Sequence, residues 1–176
     1  MPQLRKDMTS RTWVIIASER GKRPHDFKVA PDEKKGEGNC PFCPGHEQET
    51  PPEVLALGRG EQAPDTPGWN VRVVPNKFPA LSNQSDDPSF QDGPLVQKTG
   101  IGAHEVIVES ADHYSTFGTH SQEQMEQILS AMITRVKELR LDERLQYVQL
   151  FKNAGRKAGA SLEHTHCQLV ATPIIP

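Results

Sequence analysis

The residues that most constrain this chain are His164-Thr165-His166-Cys167-Gln168-Leu169-Val170, an alternating run that directly follows a glycine-bearing basic loop. Period-two alternation is a strand signal, and in a strand every second side chain shares a face. His164, His166 and Gln168 are therefore expected on one face, with Thr165, Cys167 and Leu169 on the other. The preceding loop carries Asn153, Gly155, Gly159, Ala160 and Ser161. Its glycines let backbone N–H groups turn toward an anion, and Lys152, Arg156 and Lys157 add positive charge. The whole reads as a phosphate cradle leading into a histidine pair. An HxH alone is usually just part of a solvated strand, so a ligand role for His164 requires partners from elsewhere in the chain.

Those partners have candidates. Cys40-Pro41-Phe42-Cys43-Pro44-Gly45 is a knuckle whose two thiolates suit one tetrahedral Zn²⁺. A redox CxxC would open a helix after a strand, whereas here prolines and a glycine follow, which favours the metal. The knuckle supplies only two of four ligands. Ala103 to Ser110 alternates toward a strand, and His113 follows its end, where ligands are often presented. His104 and His120 compete for such a role, but a plain structural reading suits both better. His25 and His46 read as surface residues, and Cys167 as a small packing side chain.

The rest of the chain sets the class. Arg11 to Ala17, Trp69 to Asn76 and Tyr147 to Lys152 are rich in β-branched and aromatic residues and read as further strands. Arg20, Lys22 and Arg23 lie at the exit of the first strand, as either a solvated turn or a diphosphate clamp. Residues 82–100 read as a surface loop. Ser121 and Gln124 form a capping box for one long helix, with Met125, Ile128, Leu129, Met132, Ile133, Val136 and Leu139 as an apolar stripe for the core. Strands, a helix, then strands predict an α+β fold: a mostly antiparallel sheet of about five to six strands with the helix packed on it, in one domain over 1–176.

Composition excludes other classes. A net charge of −3 argues against nucleic acid as a partner, because binding the polyanion backbone needs a basic face. The first residues, MPQLRKDMTSRTWVII, contain no apolar run suited to a signal peptide or membrane span, so a cytoplasmic protein without a membrane role is expected. Three cysteines, two of them in the knuckle, fit a reducing compartment.

CPFCPG, GAHEVIVESADH and FKNAGRKAGASLEHTHCQLVATP, in this order, resemble the galactose-1-phosphate uridylyltransferase family of the histidine-triad superfamily, specifically its N-terminal half. The resemblance implies a zinc site on Cys40, Cys43, His113 and His164. It also implies that His166 is the nucleophile toward the α-phosphorus of a nucleotide sugar, and that Gln168 donates to a phosphoryl oxygen. Arg20, Arg23, Asn76, Asn153, Gly159 and Ser161 match positions around the nucleotide and its phosphates. The implied reaction moves UMP from UDP-glucose to galactose 1-phosphate in two steps, with nucleotide sugar and hexose 1-phosphate as partners in a homodimer. Thr165 stands where uridylyltransferases usually have proline, and relatives with Ser or Thr there include AMP-transferring ADP-sugar phosphorylases. A nucleotide hydrolase and an inactive zinc-stabilised nucleotide-binding half-domain are the other expectations. Family chains are tandems of two halves, and the similarity here runs to the end of the first.

Overall fold

The computed structural model describes residues 1–22, 37–84, 90–91 and 96–176. Its centre is a five-stranded antiparallel sheet in the order β3-β4-β7-β9-β8, built from β3 (Leu55–Leu57), β4 (Val71–Pro75), β7 (Ala103–Val108), β8 (Tyr147–Phe151) and β9 (His166–Thr172). A separate four-stranded sheet, ordered β2-β1-β6-β5, is made by β1 (Gln3–Lys6), β2 (Trp13–Ile16), β5 (Phe90–Gln91) and β6 (Gln97–Thr99). The expected α+β arrangement, an antiparallel sheet with the long helix packed on it, is the five-stranded sheet; a second sheet stands beside it, and the expected loop over 82–100 contains strand. β1 and β6 were missed because each is short and mixes polar with apolar residues, so neither stands out by composition.

The central sheet is covered on one face by α1 (Gln122–Leu139), which packs across β3, β4 and β7. Val71, Val73, Ile107 and Cys167 meet Ile128 and Ala131 there. Arg135 also points inward, and its guanidinium forks onto both carboxylate oxygens of buried Glu105 at 2.6 and 2.9 Å. A charged pair therefore ties the helix to the sheet where the stripe predicts only apolar contact. Leu129 and Ile133, expected in the core, are 50% and 55% exposed, because the helix turns its buried side through Ile128, Ala131 and Arg135 instead.

The helix start is also half as expected. Ser121 caps it by accepting the Gln124 N–H at 3.1 Å, but the Gln124 side chain does not reach back to Ser121. Its amide donates to the carbonyls of Glu109 at 2.6 Å and Asn70 at 3.0 Å, satisfying backbone acceptors at the strand ends.

The opposite face of the central sheet carries the chemistry. Val74, Val106 and Val108 pack there on Cys40, Phe42, Cys43 and Trp69. The knuckle is fixed by buried Glu47, which accepts the Trp69 indole N–H and the Gly45 backbone N–H, each at 2.9 Å. Gly45 sits at φ +91°, a conformation costly for other residues. Gly102 lies so close to β9 that an added Cβ would fall 2.1 Å from the Ala171 carbonyl oxygen.

Candidate active site

β9 pairs antiparallel with β7 on one side and β8 on the other, which places it centrally and fixes its register: Val108 opposite His166, Val106 opposite Gln168. A one-residue slip would exchange the faces, and the apolar helix side holds Cys167 and Leu169 inward. His164, His166 and Gln168 consequently share the face away from α1, as the alternation predicts.

Cys40, Cys43, His113 and His164 converge. All four are buried, and their ligand atoms lie within 4.8 Å of one another. His164 Nδ1 is 3.6 Å from both sulfurs, and His113 Nδ1 is 3.2 Å from Cys43 Sγ. On its other side His164 Nε2 donates to the Ser110 carbonyl at 2.7 Å. A carbonyl can only accept, so the proton is on Nε2 and the lone pair of Nδ1 faces the thiols. Burial lowers the pKa of His164 against the opposing pull of that carbonyl, keeping a neutral imidazole. A buried Cys₂His₂ set of this kind can bind a metal ion.

His166 stands beside this cluster. Its Nδ1 donates to the His164 carbonyl at 2.8 Å, so in the neutral ring the lone pair is on Nε2. Phe42, carried by the knuckle, packs edge-on against both imidazoles, 5.4 Å from His166 and 6.2 Å from His164 between centroids. His164 of the cluster, just before β9, and His166, its first residue, are thereby packed against the same aromatic ring.

Two cavities flank His166 and Gln168, each bounded by Ser161. One, of about 550 Å³, is lined by Arg20, His104, Asn153, Gly159 and Ser161. The other, of about 580 Å³, is bounded by Phe42, Val74, Asn76, Phe78 and Leu162. Arg20, Asn76, Asn153, Gly159, Ser161 and Gln168 are thus brought around His166. Arg23 and His25 lie outside the described residues.

Lys152 departs from expectation. It is the residue after β8, and the pleat turns it to the helix face, away from the cavities. There its ammonium donates to Glu109 Oε2 at 2.6 Å, Thr165 Oγ1 at 2.9 Å and the His166 carbonyl at 3.1 Å. Glu109 is fully buried and also accepts from the Thr165 hydroxyl. Lys152 is a brace behind the strand rather than part of a phosphate cradle, whereas Lys157 stays exposed in the loop. His104, given no role by the sequence, is buried and bonded to Gln168 at 2.9 Å. Its partners come from distant segments, and no local pattern marks it.

A family model described as galactose-1-phosphate uridyl transferase, N-terminal domain, matches residues 1–176. The ADP-glucose phosphorylase of Arabidopsis thaliana is 37% identical over 180 residues, covering 99% of this chain and 50% of that protein. The galactose-1-phosphate uridylyltransferase of Thermotoga maritima is 26% identical over 177 residues, covering 100% and 48%. The solved structure of the A. thaliana ADP-glucose phosphorylase with bound ADP-glucose aligns with a TM-score of 0.68 at 33% identity, over 100% of this chain and 50% of that one. The chain therefore spans about half the length of the curated relatives it matches.

Proposed function

Because the chain belongs to the galactose-1-phosphate uridyl transferase family, we propose that it moves a nucleoside monophosphate from a nucleotide sugar to an acceptor phosphate through a covalent bond to His166. The observation that carries this reading is the His166 Nδ1–H bond to the His164 carbonyl, which leaves Nε2 as the nucleophilic nitrogen at the junction of two cavities. All of residues 1–176 are read as one nucleotidyltransferase domain.

In the first step Nε2 attacks the α-phosphorus. The N–P bond forms, the bond to the bridging oxygen breaks, and the sugar phosphate leaves with the electron pair. In the second step an oxygen of the acceptor phosphate attacks, and the N–P bond breaks to return neutral His166. Gln168, Ser161 and the glycine-bearing loop donate to the phosphoryl oxygens as charge shifts among them. The apolar cavity walled by Phe42 and Phe78 suits a base, with the Asn76 amide at its edge. Arg20 and Asn153 in the other cavity suit the sugar-phosphate side.

The Cys₂His₂ cluster fits zinc. Zinc–sulfur and zinc–nitrogen bonds of about 2.3 and 2.0 Å at the tetrahedral angle separate S and N by about 3.5 Å. The observed separations are 3.2 to 3.6 Å. Held by Cys40, Cys43, His113 and His164, zinc would supply structural anchoring of the strand start. The orientation of His166 follows from the protein's own bonds.

The greater identity to the A. thaliana ADP-glucose phosphorylase and the Thr165 between the histidines favour an ADP-sugar donor with inorganic phosphate as acceptor. The second reading, UMP transfer between UDP-glucose and galactose 1-phosphate in a homodimer, is supported by the uridylyltransferase relatives. Incubation with ADP-glucose or UDP-glucose followed by intact-mass measurement separates them: an AMP adduct is expected, and a UMP adduct alone would select the second. His166→Asn should abolish either adduct, and an unchanged adduct would remove the assignment.

A further inference from the structure

The His104 imidazole lies under Gln168 with both ring nitrogens occupied. On one side the Ala80 backbone N–H points at Nδ1 from 3.0 Å, and Arg20 Nη1 lies 3.3 Å from the same atom. A backbone N–H and a guanidinium can only donate. Nδ1 is therefore the acceptor, and the proton of the neutral ring is on Nε2. On that side Gln168 Oε1 lies 2.9 Å away.

Asn76 stands beside the same nitrogen, its Nδ2 3.2 Å from His104 Nε2; with the ring proton on Nε2 neither of these two nitrogens accepts, so the acceptor left for the Asn76 amide is Gln168 Oε1. The Asn76 Oδ1 accepts the Phe78 N–H at 2.9 Å, which turns its Nδ2 toward the His104–Gln168 contact, 3.5 Å from Gln168 Oε1. Two donors, His104 Nε2–H and the Asn76 amide, thus converge on one oxygen of Gln168. The carboxamide has two ends, and flipping it would bring N–H groups against these donors. Gln168 is held with Oε1 inward and its NH₂ toward the cavities shared with His166.

We propose that His104 is a positioning residue: as the Nε2–H tautomer, set by Ala80 and Arg20, it fixes the Gln168 carboxamide so that its NH₂ meets the phosphoryl oxygens beside His166. This rests on the reading of His166 as the nucleophile and adds what decides the orientation of its neighbour. A glutamine free to rotate would present an oxygen to an anion about as readily as a donor. Arg20 links the device to the donor cavity, since it lines that cavity and also bonds the ring that orients Gln168.

The first test is independent of turnover. Nitrogen-15 shifts of the histidine rings near neutral pH should show His104 protonated at Nε2 and bare at Nδ1. The opposite tautomer or an imidazolium overturns the proposal even in a protein that transfers nothing. The second is a cycle on the rate of nucleotidyl adduct formation from ADP-glucose or UDP-glucose. Gln168→Ala is expected to slow it, and His104→Phe, which removes the Nε2–H, to slow it by about 10- to 100-fold, as misplaced groups typically do. With Gln168 already alanine, His104→Phe should add little. His104→Gln, whose amide nitrogen occupies the Nε2 place, should recover part of the rate. Multiplying effects, or a rate untouched in a folded His104→Phe, contradict the proposal. An absence of any adduct in the wild-type chain would refute the His166 reading and leave the tautomer to judge His104.

Discussion

Replacing Lys152 with methionine should unfold this protein more easily while leaving nucleotide binding nearly intact. Its ammonium holds Glu109, whose side chain is fully buried, and the same nitrogen reaches Thr165 Oγ1 and the His166 carbonyl. Removing one partner of a buried pair strands the other charge, which costs about 3–5 kcal/mol. Lys152 is 25% exposed, so water screens part of the pair and the lower end applies, about 3 kcal/mol. For a chain of this size that lowers Tm by about 6–12 °C. The double variant Lys152→Met/Glu109→Gln removes both charges and should recover to within about 1 kcal/mol of wild type. Urea unfolding followed by the fluorescence of Trp13 and Trp69 measures all three. The reasoning is refuted if Lys152→Met changes stability by less than about 1 kcal/mol but weakens nucleotide affinity, since the lysine would then act on the cavity side.

Other perturbations test other parts of the fold. Chelation of metal, or Cys40→Ser, should lower the melting temperature, because a bound structural ion contributes folding free energy; a melting curve unaffected by chelator speaks against the Cys₂His₂ site. Burial alone would raise the Glu53 carboxyl, but hydrogen bonds from Arg59 and Arg72 outweigh it and hold the group at about 2, below its ordinary 4.5. A depressed carboxyl stabilises above its unfolded pKa and loses that contribution as pH falls, so Glu53 contributes about 3 kcal/mol at pH 6. The stability gap between wild type and Glu53→Gln should shrink by about 2 kcal/mol from pH 6 to pH 3, and a constant gap contradicts the pairing. The Cys167 thiol, pushed up to about 12 first by burial and then by Glu109, should resist alkylation at pH 8 in the folded protein. Rapid native-state labelling would show that it is accessible and ionised.

What could be read in advance divides by how local the cause is. The side-chain directions at the start of β9 follow from alternation within a few residues, so the shared face of His164, His166 and Gln168 was legible. The knuckle and His113 meet His164 as the ordered motifs imply. Lys152 was misplaced because its charge sits beside a glycine loop, while its direction is set by the pleat of β8. His104 depends on Ala80, Arg20, Asn76 and Gln168, which only the closed sheet assembles. The same holds for Arg135 on α1: its spacing places it on the inner side, but its acceptor Glu105 lies 30 residues earlier, on β7.

The central claim is that His164, anchored in the Cys/His cluster just before β9, holds His166 through its carbonyl and thereby presents Nε2 of His166 to phosphorus. The most direct measurement is to trap the nucleotidyl intermediate with a nucleotide sugar and locate it by peptide sequencing and by phosphorus–nitrogen coupling in ring-labelled protein. The adduct is expected on His166, bonded through Nε2, with Nδ1 still protonated toward the His164 carbonyl. An adduct on another residue, or through Nδ1 of His166, would contradict it.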